Sequence, residues 1–490
     1  MFRHKLYYIL FAFILAACSE RVAVDILSDA SPNIFPDYKD ITIPPNIAPL
    51  NFRVTDNLQG IYTSFRCGNE IIEVKAKDGQ IRISEKSWKR LLETAMGKSI
   101  EVLVSYVNES GKRVSMKPFY FLVANEPIDT YLTYRLIPPG YELWNRMGIY
   151  QRNLTNFSQT PVIENKSTDG NCMNCHSFRM QNAEQTVLHM RGKNAGTYII
   201  NKSAIEKINT KTDRTISALV YPFWHPSGRY IAFSVNDTKQ GFHTMDKNRV
   251  EVYDNKSDVV VYDIGKHEII TSKYLFSDKV FENFPTFSPD GTKLYFCSSD
   301  SVNMPREFRK VRYSLCSIDF DAEKRMFGER VDTIYNARTQ GKSASFPRIS
   351  PDGKFLLYTL ADYGGFHIWH KEADLYMINL KTMDNYPLSS ANSNDTESYH
   401  SWSSNSRWIV FSSRRIDGLY TRPFFAHVDS VGNVSKAFVL PQKDCNFYDN
   451  LMVSYNVPEF SKNKVNISAY EISQKAKNSM GSNVRFITPD

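Results

Sequence analysis

At 490 residues the chain exceeds what one compact core supports, so two or three domains are expected. Hydrophobic residues at 42% and charged residues at 23% are an ordinary globular balance, and 13% aromatics tilts it toward strands. The net charge of +8 is spread along the chain, with no Lys/Arg run interleaved with aromatics, so nucleic acid is excluded as a partner.

The N-terminus carries Arg3, His4 and Lys5, an apolar run from Leu6 to Ala17, and then Cys18. This is the charged region and short apolar core of an export signal, too short to span the ~30 Å of a bilayer. Leu15-Ala16-Ala17-Cys18 resembles the lipobox of bacterial lipoproteins. That resemblance implies cleavage before Cys18, a diacylglycerol on its thiol and a lipid bilayer as partner. Ser19, rather than Asp, follows the cysteine and points to the outer membrane, with the facing side open. Residues 19–46, with Pro32, Pro36, Pro44 and Pro45, are expected to form a tether.

Over residues 47–125 apolar and aromatic residues recur at every second place in Leu50–Val54, Ile61–Phe65, Ile71–Val74, Ile100–Val107 and Pro118–Ala124. One helix interrupts them, opened by Ser84, lined by Trp88, Leu91, Leu92 and Ala95, and ended by Gly97. A small β-sandwich-like domain without chemistry of its own is expected. Residues 126–165 show no clean period and read as a connector that packs beneath the next domain or supplies its closing strand.

A repeated turn then decides the fold. Phe223-Trp224-His225-Pro226-Ser227-Gly228, Pro285-Thr286-Phe287-Ser288-Pro289-Asp290-Gly291 and Pro347-Arg348-Ile349-Ser350-Pro351-Asp352-Gly353 each join two apolar strands, and Trp402-Ser403-Ser404-Asn405-Ser406 is a weaker copy. Pro presets φ, Asp bonds nearby amides, and Gly takes the positive φ. Further strands such as Val259–Asp263 and Leu375–Asn379 follow, which makes four-stranded units at a regular spacing. The pattern resembles the TolB-type (PD40, WD40-like) propeller repeat over roughly 170–460. The resemblance implies an all-β fold with a β-propeller over 166–460, six blades expected. Such propellers also precede α/β-hydrolase domains in some peptidases. No Gly-x-Ser-x-Gly occurs here, and no nucleophile–base pair stands out, so a hydrolase is not expected. Residues 461–490 read as a polar, mobile tail.

One motif carries chemistry. Cys172-Met173-Asn174-Cys175-His176 is Cys-x-x-Cys-His. Two thiols at this spacing reach the two vinyl groups of a haem as thioethers, and the adjacent imidazole becomes the proximal iron ligand. Haem c is the expected cofactor, with a disulfide or a zinc site as the alternative use of the pair. Met180 in a helical turn would share the His176 side, so His189 or Met190 is the expected distal ligand, with His225 a further candidate. The motif falls within the first blade rather than in a separate helical cytochrome domain. Together, the lipobox, the β-rich first domain, the Asn-Cys-x-Asn-Cys-His-Ser-Phe run and the repeats are similar to a family of TolB-like lipoproteins of Gram-negative bacteria.

Two functions follow as expectations. In the first, the protein is a haem-bearing redox or sensing lipoprotein. In the second, it is a non-catalytic scaffold whose propeller loops bind a protein or glycan partner, with the Cys172–Cys175 pair structural. Cys297 and Cys316, in consecutive strands, are either bridged or buried thiols, and His367 and His370 are expected near the propeller mouth.

Overall fold

The computed structural model describes residues 26–138 and 146–488. Cys18, the lipobox and the export signal lie outside the described residues. Among these, no helix is long and apolar enough to cross a membrane.

The first domain is sandwich-like. A seven-stranded sheet carries Gln59–Cys67, Glu70–Lys75, Ser99–Val107 and Phe119–Val123, and a three-stranded sheet carries Ile34–Phe35, Phe52–Val54 and Gln80–Ile81. The alternation read from the sequence is the burial pattern observed: Ile61, Phe65, Val102, Val104, Phe119 and Phe121 all face the core. The helix Glu85–Ala95 buries Trp88, Leu91, Leu92 and Ala95, as its period requires, although the Ser84 side chain makes no capping bond. The tether differs from expectation. Ile34, Tyr38, Ile41 and Ile43 are buried, and Ile41–Ile43 pairs in parallel with Phe119–Val123. Pro residues there shape a domain edge, because the apolar residues between them have a core to fill.

The rest of the chain is a β-propeller. Six sheets of four or five strands succeed one another. The connector is not separate from them: Tyr131–Ile137, Gly148–Asn153 and Gln159–Glu164 are three strands of one sheet, whose fourth strand is Ser454–Ser461 from the other end of the chain. Nor is 461–488 a mobile tail. Ser468 and Glu471 form a capping box on the helix Ala469–Asn478, which buries Ile472 and Ala476, and two short strands beyond it extend neighbouring sheets.

Cys297 lies opposite Leu315 and Cys316 opposite Phe296. Successive residues of a strand face opposite sides, so the two thiols are on different faces of one sheet, each in its own apolar cluster, and both are free.

Candidate functional site

The innermost strand of each sheet has one extra residue. The register slips between Val220 and Phe223, Asn283 and Thr286, Ser345 and Arg348, and Ser398 and Ser401. Ser454–Ser461 slips in the same way between Asn456 and Glu459. The inserted residue is left-handed: Tyr221, Phe284, Phe346, Tyr399 and Val457 all have φ near +50°. Such a bulge re-aims the residues that follow it. The side chains of Tyr221, Phe284, Phe346 and Tyr399 converge, with successive ring centroids 5.0, 4.0 and 4.8 Å apart.

The Cys-x-x-Cys-His strand, Cys172–Arg179, repeats this device: its register slips between Met173 and His176. His176 therefore occupies the place that Phe223, Thr286, Arg348, Ser401 and Glu459 hold in the other sheets. All of these places but that of Thr286 line a cavity of about 1050 Å³, counting its open mouth. Tyr221, Phe346 and Tyr399 form one end of it, and the turns with Met180, Pro226 and Pro351 form the other. Trp224 and Trp402 back the walls, and their indole N–H groups donate to the carbonyls of Ser177 (3.2 Å) and Arg348 (3.1 Å).

His176 is buried in this wall, and neither ring nitrogen makes a well-formed hydrogen bond, the Thr133 backbone being its weak polar contact. Burial lowers its pKa to about 4, the backbone of Thr133 opposing and Arg135 adding to the effect. The imidazole is neutral at pH 7. Glu459 accepts from the Phe178 amide at 3.1 Å and the Ser177 hydroxyl at 3.4 Å, and burial, partly offset by these bonds and by Arg348, raises its pKa to about 7. Arg348, half-buried, lays its guanidinium over the Phe223 ring at 5.2 Å.

The predicted haem residues are not gathered at one place. Cys172 and Met190 pack in an apolar cluster with Met147, Ile163 and Met173, between two sheets. Cys175 is buried against the convergent rings, its thiol pKa raised by burial and lowered in part by Arg135 and the Tyr221 backbone. His189 bonds Thr197 Oγ1 at 3.0 Å, and burial takes its pKa to about 3. Among the described side chains of the motif and its distal candidates, only His176 lines the cavity. Met180 lines it too, in a left-handed turn rather than the helix considered from the sequence. His225 is held by Ser227 and the Gly291 carbonyl, at 2.7 and 3.1 Å, as part of its turn. His367 and His370 lie inside the structure, bonded to Ser345 (2.7 Å) and Glu251 (3.1 Å). No group of three His, Cys, Asp or Glu among the described residues is placed to hold a metal ion.

Sequence reasoning missed Arg348, Glu459, Trp402 and His400 as cavity residues. For Arg348 and Glu459 a signal was present: in Tyr221-Pro222, Phe346-Pro347 and Val457-Pro458 the residue after the Pro lines the cavity.

The chain is thus a β-propeller with a sandwich-like domain before it and a cavity on its axis. No family model and no curated protein matches it. Among solved structures it is similar to TolB from Acinetobacter baumannii, at 12% identity over 77% of this chain and 85% of that one, TM-score 0.45. It is similar to the β-propeller domain of the Trilobed protease from Pyrococcus furiosus, at 11% identity over 79% and 99%, TM-score 0.33. A puromycin-hydrolyzing peptidase of Mycobacterium tuberculosis is matched at 10% identity over 82% of this chain and 57% of that one, TM-score 0.37.

Proposed function

We propose that this chain is an envelope lipoprotein, anchored through Cys18 in the outer membrane, whose propeller is a binding scaffold with its ligand site in the axial cavity. His176 makes the directed contact there. The observation that carries this reading is the buried, neutral imidazole with neither nitrogen in a well-formed hydrogen bond, at the wall of a cavity lined by aromatic rings and prolines together with Arg348 and Glu459. An unsatisfied buried polar group costs about 1–3 kcal/mol, and a ligand donor or a metal ion would relieve it. Protein or glycan partners at the propeller loops belong to the same reading. The test is mass spectrometry of small molecules extracted from the full chain purified from envelope, beside Ser401→Trp, which fills the cavity. Retention by wild type and loss from the filled variant is expected. Equal retention by the two, or none by either, removes the cavity as a site.

Haem c is the second reading, supported by the Cys-x-x-Cys-His spacing together with the same buried imidazole. His176 suits an axial ligand, and a haem there would supply one-electron chemistry. The thiols do not suit it in this strand, because Cys172 is packed into an apolar cluster and Cys175 lies behind the cavity wall. A pyridine haemochrome spectrum from a host with c-type maturation, beside Cys172→Ala/Cys175→Ala, separates the readings. An α band absent from the double variant would establish the haem, and no band leaves the scaffold.

A further inference from the structure

Three buried or half-buried arginines of this protein are each held by a carboxylate. Arg415 bonds Glu397 and the Ala391 carbonyl, Arg422 bonds Asp417 and the carbonyls of Val453 and Leu451, and Arg325 pairs with Asp263 and Glu268. Arg348 differs. Of its five N–H donors, one reaches an acceptor, the Pro347 carbonyl at 2.9 Å, and it forms no ion pair among the described residues. Its guanidinium lies against Phe223 at the cavity wall. Glu459, the acid whose field it feels most, is turned to the Phe178 amide and the Ser177 hydroxyl. A guanidinium does not lose its proton, so the cavity holds a permanent positive charge with unused, fork-shaped donors. Around it the cavity is lined by the half-buried rings of Tyr221, Phe223 and Tyr399, with Trp224 and Trp402 packed behind in the apolar clusters between sheets.

We propose that Arg348 receives the anionic head of a small, flat organic acid whose apolar body lies against the half-buried rings of Phe223, Tyr221 and Tyr399. This rests on the axial cavity being a binding site, and adds the class of molecule it takes. A carboxylate or sulfonate meets the fork bidentately, and a planar body fills the space the rings leave.

The probes are anilinonaphthalene sulfonate and its uncharged counterpart phenylnaphthylamine, titrated by fluorescence into the full chain. Wild type should bind the sulfonate at least about tenfold more tightly than Arg348→Gln does, while the amine binds both alike. Arg348→Lys should recover part of the difference, since it keeps charge without the fork. Energy transfer from tryptophan to either dye should fall in Trp402→Phe, which places the dye in the cavity without needing a filled variant to fold. Equal sulfonate affinity in wild type and Arg348→Gln, with energy transfer intact, overturns the acid-binding proposal and leaves the cavity as a site. If Trp402→Phe leaves energy transfer unchanged for both dyes, the cavity reading fails with it.

Discussion

At the residue scale, two glutamates at one register position show how neighbours decide a carboxylate's state. Glu282 and Glu397 each stand just before the bulge of an inner strand, opposite Ser298 and Ser413. Glu397 accepts from Arg415, Ser413 and Ser393, at 2.8, 2.8 and 2.6 Å. Glu282 is fully buried, with neither oxygen partnered, and burial, then Asp258, raise its pKa to about 9. Tyr313 and Cys316 also feel its field. The folded protein therefore holds this proton more tightly than the unfolded chain. Stability falls as pH rises from about 4.5 toward 9, because deprotonation is cheaper after unfolding. Asp258, raised to about 7, acts in the same direction. Glu282→Gln should remove up to about 1.4 kcal/mol of stability loss per pH unit in that window, leaving the parts of Asp258, Glu459 and Asp254. Urea unfolding at a series of pH values measures this, and an unchanged slope refutes it.

At the scale of elements, the ring is closed by a strand from far along the chain. Ser454–Ser461 pairs antiparallel with Tyr131–Ile137, bringing Leu132 opposite Phe460. The segment after it is bonded into the next sheets: Lys207 Nζ donates to the carbonyls of Ala476 and Ser479, both at 3.0 Å, and Glu268 joins Arg325 to Arg485. Deleting 480–488 removes exposed edge strands and one part-exposed ion pair, and should lower stability by about 1–2 kcal/mol. Deleting 454–488 removes an inner strand and should abolish the cooperative transition. Thermal unfolding followed by circular dichroism distinguishes the two, and a cooperative melt of the longer deletion would contradict this account of closure.

At the scale of the molecule, the two domains share one core. Phe65, Trp88 and Phe121 of the sandwich and Phe355, Trp408, Phe425 and Phe460 of the propeller belong to a single apolar cluster. Polar bonds seal it: Trp408 Nε1 donates to the Glu126 carbonyl at 2.9 Å, Asn51 donates to the Gln442 carbonyl at 3.1 Å, and Ser404 donates to Asp129. Calorimetry on the full chain should therefore show one transition. Trp408→Ala should cost about 3–5 kcal/mol and lower the melting of both domains together. Two separated transitions would show the interface to be weak.

How much of this was legible follows from the range of each interaction. The helix at Glu85–Ala95, the alternation of the sandwich strands and the turns at Pro226, Pro289 and Pro351 are local patterns, written in residues a few positions apart. The propeller class followed from their repetition. The fate of 126–165 and 461–488 was not legible, because each pairs across most of the chain and carries no period of its own. The burial of 34–43 was missed because its prolines outweigh its few isoleucines in any local reading.

The site divides in the same way. Cys172, Cys175 and His176 are marked by spacing alone, and the sequence by itself determined that these residue types stand together, within a blade, in an all-β chain. Only the tertiary structure decided where they point. One inserted residue turns His176 to the axis while Cys172 packs between sheets, and the same insertion in the other blades brings Arg348, Ser401 and Glu459 to face it. A bulge exchanges the faces of the residues beyond it, and its position is set by pairing with a neighbouring strand, which no local pattern records.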